Sequence, residues 1–160
     1  MKRAAICLYG LSNGFNSKGH KISFLTPIKR LVNQLQYQDV DYDFFYHTWL
    51  NDKINIADLK SDLNKIIAPK LYLVENIKEF DKNKELNNLK SRWYSNDKSI
   101  KLAVDYSEIN QIKYDFLLVS RFDCYYENLF DFNRLKKKVI YVSNWQYPYN
   151  KFGCLDYWIL

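Results

Sequence analysis

Ser120, Arg121 and Asp123 close an apolar run made of Phe116, Leu117, Leu118 and Val119, and their types and spacing hold more chemistry than any other stretch of the chain. A buried strand that delivers an arginine and a carboxylate at its carboxyl end sets charge at the mouth of an α/β sheet, where such folds bind ligands. A guanidinium there neutralises phosphate, and a lone carboxylate suffices for a Mg²⁺ or Mn²⁺ ion that keeps several waters. The plainer alternative is an Arg–Asp pair closing a loop. Other candidate groups lie at or beyond the ends of predicted strands: the glycine-containing loop 10–19 after the apolar run 4–9, His47, Thr48 and Trp49 after the run 42–47, and Asp156 in the tail. In a parallel sheet all carboxyl strand ends share one edge, so groups remote in sequence converge there.

Other chemistries fit less well. The loop beginning at Gly10 has neither the Gly-Lys-Ser/Thr ending of a P-loop nor the Gly-x-Gly-x-x-Gly of a dinucleotide site. Backbone amides near Gly10 remain able to face a base or a phosphate, and a flexible turn is the alternative. His47 at a strand end reads first as a structural histidine, and no second histidine or carboxylate stands at zinc spacing. A Ser-His-Asp hydrolase is disfavoured, because there is no Gly-x-Ser-x-Gly elbow and neither histidine has an evident serine partner.

The elements that must position these groups follow from periodicity. Strands are expected at 4–9, 42–47, 70–75, 115–120 and 139–143. A helix opens at Thr26 and Pro27 with Ile28, Leu31, Val32 and Leu35 on one stripe, a second spans 58–67 before Pro69, and a third spans 95–109 with Ser95 or Asn96 as its cap. Residues 77–90 read as loop with some helix, 129–135 as a short helical turn, and 144–160 as an irregular aromatic tail. Alternation of strands and helices predicts one α/β domain over 1–160, a mostly parallel, Rossmann-like sheet with helices on both faces. Residues 156–160 resemble the start of a buried strand, which implies a domain truncated at its carboxyl end or completed by another chain.

Composition bounds the partners. The net charge of +6 and pI near 9.1 favour anionic ligands such as nucleotides, nucleic acid or an acidic membrane surface. Aromatics reach 18% and suit a partly wet cleft that stacks a flat or sugar-like ligand, although a coding bias toward Tyr, Phe, Lys, Asn and Ile explains the same excess. Single-strand nucleic-acid binding is disfavoured because the lysines fall on predicted helices and loops rather than on an aromatic strand face. The cluster Arg134, Lys136, Lys137, Lys138 reads as a solvated helix cap, with membrane-surface contact as the alternative. Cys7, Cys124 and Cys154 are widely spaced and odd in number, which points to a reducing compartment. No apolar run approaches the roughly 18 residues of a spanning helix, so the expectation is a cytoplasmic protein with no transmembrane segment, peripheral to a membrane at most.

Four stretches together carry a resemblance: AICLYGLS at 5–12, DYDFFYHTW at 41–49, RWYS at 92–95 and YDFLLVSRFD at 114–123. In order and spacing the chain resembles the small GT-A-type glycosyltransferases found in bacterial surface-polysaccharide loci and in large DNA viruses. The resemblance implies a GT-A-like fold, a nucleotide-sugar donor, Mg²⁺ or Mn²⁺, and transfer to the hydroxyl of a glycan or lipid-linked glycan acceptor. By position it implies that Tyr9, Gly10, Leu11 and Ser12 meet the nucleotide. It places Arg92, Tyr94 and Lys98 at the border of the donor site beside His47 and Arg121. Asp123 would ligate the metal and Asp156 would deprotonate the acceptor. The chain departs from the pattern in lacking a second aspartate, with Arg at 121 and Tyr at 125, and in carrying little that would form an acceptor half. A non-catalytic relative that binds a nucleotide, sugar or protein partner therefore stands as the alternative.

Overall fold

Six consecutive apolar residues, Ala4 to Tyr9, fit only a strand covered on both faces. In the computed structural model they are the centre of β1 (Lys2–Gly10). Residues 1–15, 21–50, 56–125, 131–136, 138–143 and 154–159 are described, with backbone alone at 13–15, 21–22, 56, 142–143 and 154–159. A short antiparallel hairpin, β2 (Asn13–Phe15) and β3 (Lys21–Ser23), leads to α1 (Leu25–Gln36) and then β4 (Val40–Leu50). Next come α2 (Ile56–Ile67), β5 (Leu71–Asn76) and the 27-residue α3 (Lys84–Asn110). The chain continues through β6 (Phe116–Arg121), a 3-10 turn (Phe132–Arg134), β7 (Tyr141–Ser143) and β8 (Cys154–Ile159).

The main sheet has the order β5-β4-β1-β6-β8-β7. Its first four strands are all parallel, whereas β8 runs antiparallel to both β6 and β7. Among themselves the parallel strands follow a 3-2-1-4 order, that of the first four strands of a doubly wound sheet. The order reverses between β1 and β6. The domain is thus α/β with a mostly parallel sheet, as the alternation of elements predicts.

Side-chain alternation builds one core on each face. Ala4, Ile6, Leu8, Phe44, Tyr46, Phe116 and Leu118 point to one side and pack on Ile28, Leu31 and Leu35 of α1 and on Leu59, Leu63 and Ile67 of α2. Ala5, Cys7, Tyr9, Phe45 and Val119 point to the other and pack on Ala103 of α3. Helix α3 buries Ser95, Asn96, Ser99 and Ala103. Three of these, at i, i+4 and i+8, are small, which lets the helix lie close to the sheet.

Several boundaries differ from expectation. Helix α3 begins at Lys84 under an Asn83 cap, so Ser95 and Asn96 are buried mid-helix residues rather than caps. Pro27 sits third in α1, still within the first turn, where its missing N–H costs nothing. Residues 154–159 of the supposedly irregular tail form β8, while 144–153 lie outside the described residues, as do 16–20 of the glycine loop. No helix among the described residues is long and apolar enough to cross a membrane.

Candidate functional site

The registers fix where the candidate residues meet. Tyr9 pairs with His47 on one side and with Arg121 on the other, and Gly10 pairs with Thr48. Strands β1, β4 and β6 therefore end on a common rim, with His47, Tyr9 and Arg121 side by side on the face that α3 covers. Strand spacing puts the backbones of His47 and Arg121 about 10 Å apart. Asp156 joins this rim in backbone position: it precedes Tyr157, which pairs with Ser120 at the carboxyl end of β6.

Gly10 ends β1 at φ +96°, a backbone state that side chains rarely adopt, and the space where its Cβ would stand is open for 4 Å. Its N–H donates to Ser95 Oγ at 2.9 Å. Ser12, fully buried, donates its N–H to Thr48 Oγ1 at 3.2 Å and accepts the Thr48 hydroxyl at 2.9 Å. The Gly10 and Ser12 amides are thus bound within the protein, not free for phosphate as the sequence reading allowed. The Tyr9 ring lies in the core, and its carbonyl accepts from Phe122 N at 3.3 Å. Leu11 is partly exposed.

His47 is fully buried between two partners, Ser95 Oγ at 2.7 Å from Nδ1 and Glu75 Oε2 at 3.1 Å from Nε2. The Glu75 carboxylate can only accept, so in the neutral ring Nε2–H donates to it and the Ser95 hydroxyl donates to Nδ1 while its oxygen accepts from Gly10. Burial pushes the His47 pKa down, Glu75 opposes this, and Lys78 and Lys98 add to the lowering. Glu75 also takes a hydrogen bond from Tyr94 OH at 3.0 Å and an ion pair from Lys78. Its pKa is held below the ordinary value: burial alone raises it, but hydrogen bonds from Lys78, Tyr94 and His47 outweigh burial. The Tyr94 ring stacks on Trp49 with centroids 5.5 Å apart, and Lys98 Nζ stands 5.0 Å from its centre.

A histidine does therefore have a serine partner, contrary to the sequence reading. Ser95 has no exposed surface and holds the Gly10 turn, so it positions backbone and meets no substrate. Glu75 and Ser95 were missed as site residues. The signal for Glu75 was present, a charged residue ending an apolar strand, as at Arg121. Ser95 lay one helical turn from Ser99 and two from Ala103.

On the β6 side, Arg121 Nε donates to Asp123 Oδ1 at 2.8 Å and Nη2 to Oδ2 at 2.6 Å, a bidentate pair. Both carboxylate oxygens of the residue that the resemblance assigns to a metal are thus taken up by an arginine. A divalent ion 4 Å from that guanidinium would be repelled by on the order of 8 kcal/mol at an effective dielectric of 20, reduced by whatever water screens. Among the described residues no three His, Cys, Asp or Glu side chains come together as a metal group. As arranged, Asp123 does not fit a directly bound cation. Arg92 stands exposed on α3.

The fold and the rim define an α/β domain with a candidate ligand site at the reversal of strand order. No family model matches the chain, and no curated protein or solved structure matches it.

Proposed function

We propose that this domain is a glycosyltransferase of GT-A type that binds a nucleotide-sugar at the carboxyl edge between β1 and β6 and moves the sugar to a glycan hydroxyl. The observation that supports it most is the reversal of strand order between those two strands. Open α/β sheets bind ligands in the crevice at such a point, and here Gly10 flanks it on one side and Arg121 on the other. The resemblance supplies the class of donor.

In this reading the acceptor hydroxyl attacks the anomeric carbon, and the bond from that carbon to the diphosphate breaks. Negative charge develops on the leaving diphosphate, where Arg121 and Lys98 stabilise it electrostatically. Asp156, on β8 beside the end of β6, takes the proton of the acceptor hydroxyl. The open space before Gly10 lets a ligand approach the backbone closely.

Thermal unfolding with UDP, GDP, dTDP and CMP tests this. A ligand at about 100 times its Kd stabilises the folded form by about 2.7 kcal/mol, a shift of roughly 5–10 °C for a chain of this size. One nucleotide should give that shift, and Lys98→Ala should reduce it. A melting point unmoved by all four would defeat the proposal. Nucleotide binding without turnover of any sugar nucleotide, even by slow hydrolysis, would make the chain a non-catalytic relative.

A further inference from the structure

We infer that the diphosphate of the donor is neutralised by protein cations alone and binds without a divalent ion. The inference rests on the donor-site reading above and departs from the metal that the resemblance implies. Its basis is the state of the two carboxylates whose side chains are described at the rim, Glu75 near the end of β5 and Asp123 two residues beyond β6. Asp123 gives one oxygen to Arg121 Nε and the other to Arg121 Nη2. Glu75 gives Oε1 to Lys78 and Oε2 to both His47 Nε2 and Tyr94 OH.

A hard cation needs carboxylate oxygens turned toward it, whether it binds one of them or several. Here each carboxylate is turned instead toward a cation of the protein, in charge-assisted bonds that are short and directional. Asp123 is in this arrangement a positioning residue. Its fork holds the guanidinium plane of Arg121 at the end of β6, beside the crevice. Lys98 supplies the second charge: its Nζ rests over the Tyr94 ring with no carboxylate within ion-pair distance among the described residues.

Titration calorimetry of the full chain with UDP, GDP and dTDP, in EDTA and in Mn²⁺, separates the possibilities. The dissociation constant of the nucleotide that binds should agree within about twofold between the two conditions. It should weaken with added salt, as an interaction between exposed charges does. Asp123→Asn, which keeps shape but removes the bidentate fork that orients Arg121, should weaken binding equally with and without Mn²⁺, and far-ultraviolet circular dichroism establishes that this variant is folded. Binding at least about tenfold tighter in Mn²⁺ overturns the inference and leaves the donor site standing. So does Mn²⁺ bound to the nucleotide-free protein in electron paramagnetic resonance and lost in Asp123→Asn. No nucleotide bound in either condition overturns the donor-site reading, and the inference with it.

Discussion

His47 illustrates how one buried ring ties separate parts of the rim together. Its Nδ1 takes the Ser95 proton, Ser95 holds the Gly10 N–H, and Nε2 reaches Glu75, which in turn holds Lys78 and Tyr94. Every link has one donor and one acceptor, and only the neutral ring satisfies all of them. Burial first, then Lys78 and Lys98, lower its pKa below the ordinary 6.5. As the pH falls through 6.5 the unfolded chain takes up a proton that the folded chain refuses, so stability must drop. Urea unfolding should show this decline between pH 7 and 5.5, with a slope up to about 1.4 kcal/mol per pH unit. His47→Gln should flatten it, and an unchanged slope in that variant would assign the decline to another group. Glu75 acts in a lower window. Its folded value is depressed below 4.5, so its contribution is present above 4.5 and is lost as the pH falls further. None of these pairings was legible from sequence. Spacing places Glu75 and His47 at strand ends, but which atom meets which depends on side-chain direction across three elements.

At the scale of elements, α3 departs most from what its residues suggest. Leu86, Leu89 and Trp93 stand at helical spacing yet are about half exposed, so the first turns form without a core to pack on. A stretch rich in Lys and Asn therefore reads as loop, and the helix is recognised only where Ile100, Ala103 and Val104 begin to alternate with polar residues. What starts it at Lys84 is a cap. Asn83 accepts from the amides of Glu85 and Leu86 at 3.0 and 3.1 Å. Asn83→Ala should cost about 1 kcal/mol, concentrated in the overhanging turns. Amide exchange at residues 85–89 should quicken more than exchange at 99–106. Equal acceleration in both segments would mean that the cap supports the whole helix instead. The β2–β3 hairpin was missed for a simpler reason: three-residue strands are too short to show alternation.

For the whole molecule, the most predictable property was the shared rim. It follows from strand direction alone, and the apolar runs at 4–9, 42–47, 70–75 and 115–120 sufficed to propose a parallel sheet. Strand order did not follow. That β6 adds beside β1, placing Arg121 next to Tyr9, depends on α3 crossing to the face opposite α1 and α2, and neither helix pattern encodes a side. The two cores make the sheet the common support of both faces. Leu118, fully buried in the β6 face toward α1 and α2, is a sensitive point. Leu118→Ala should lower the unfolding free energy by about 2–5 kcal/mol. A loss well under 1 kcal/mol in chemical denaturation would mean that the neighbouring side chains collapse into the space.

Among the described strands, the one latest in the chain is not at the edge of the sheet. β8 is inserted between β6 and β7, and its bonds to β6 run through Ser120 and its neighbours, next to Arg121. While the polypeptide is being synthesised, β6 must therefore keep a row of unpaired amides and carbonyls until some thirty residues more have emerged, a template for any passing strand. Construction of the rim and protection of the nascent chain from clumping are completed by the same docking event.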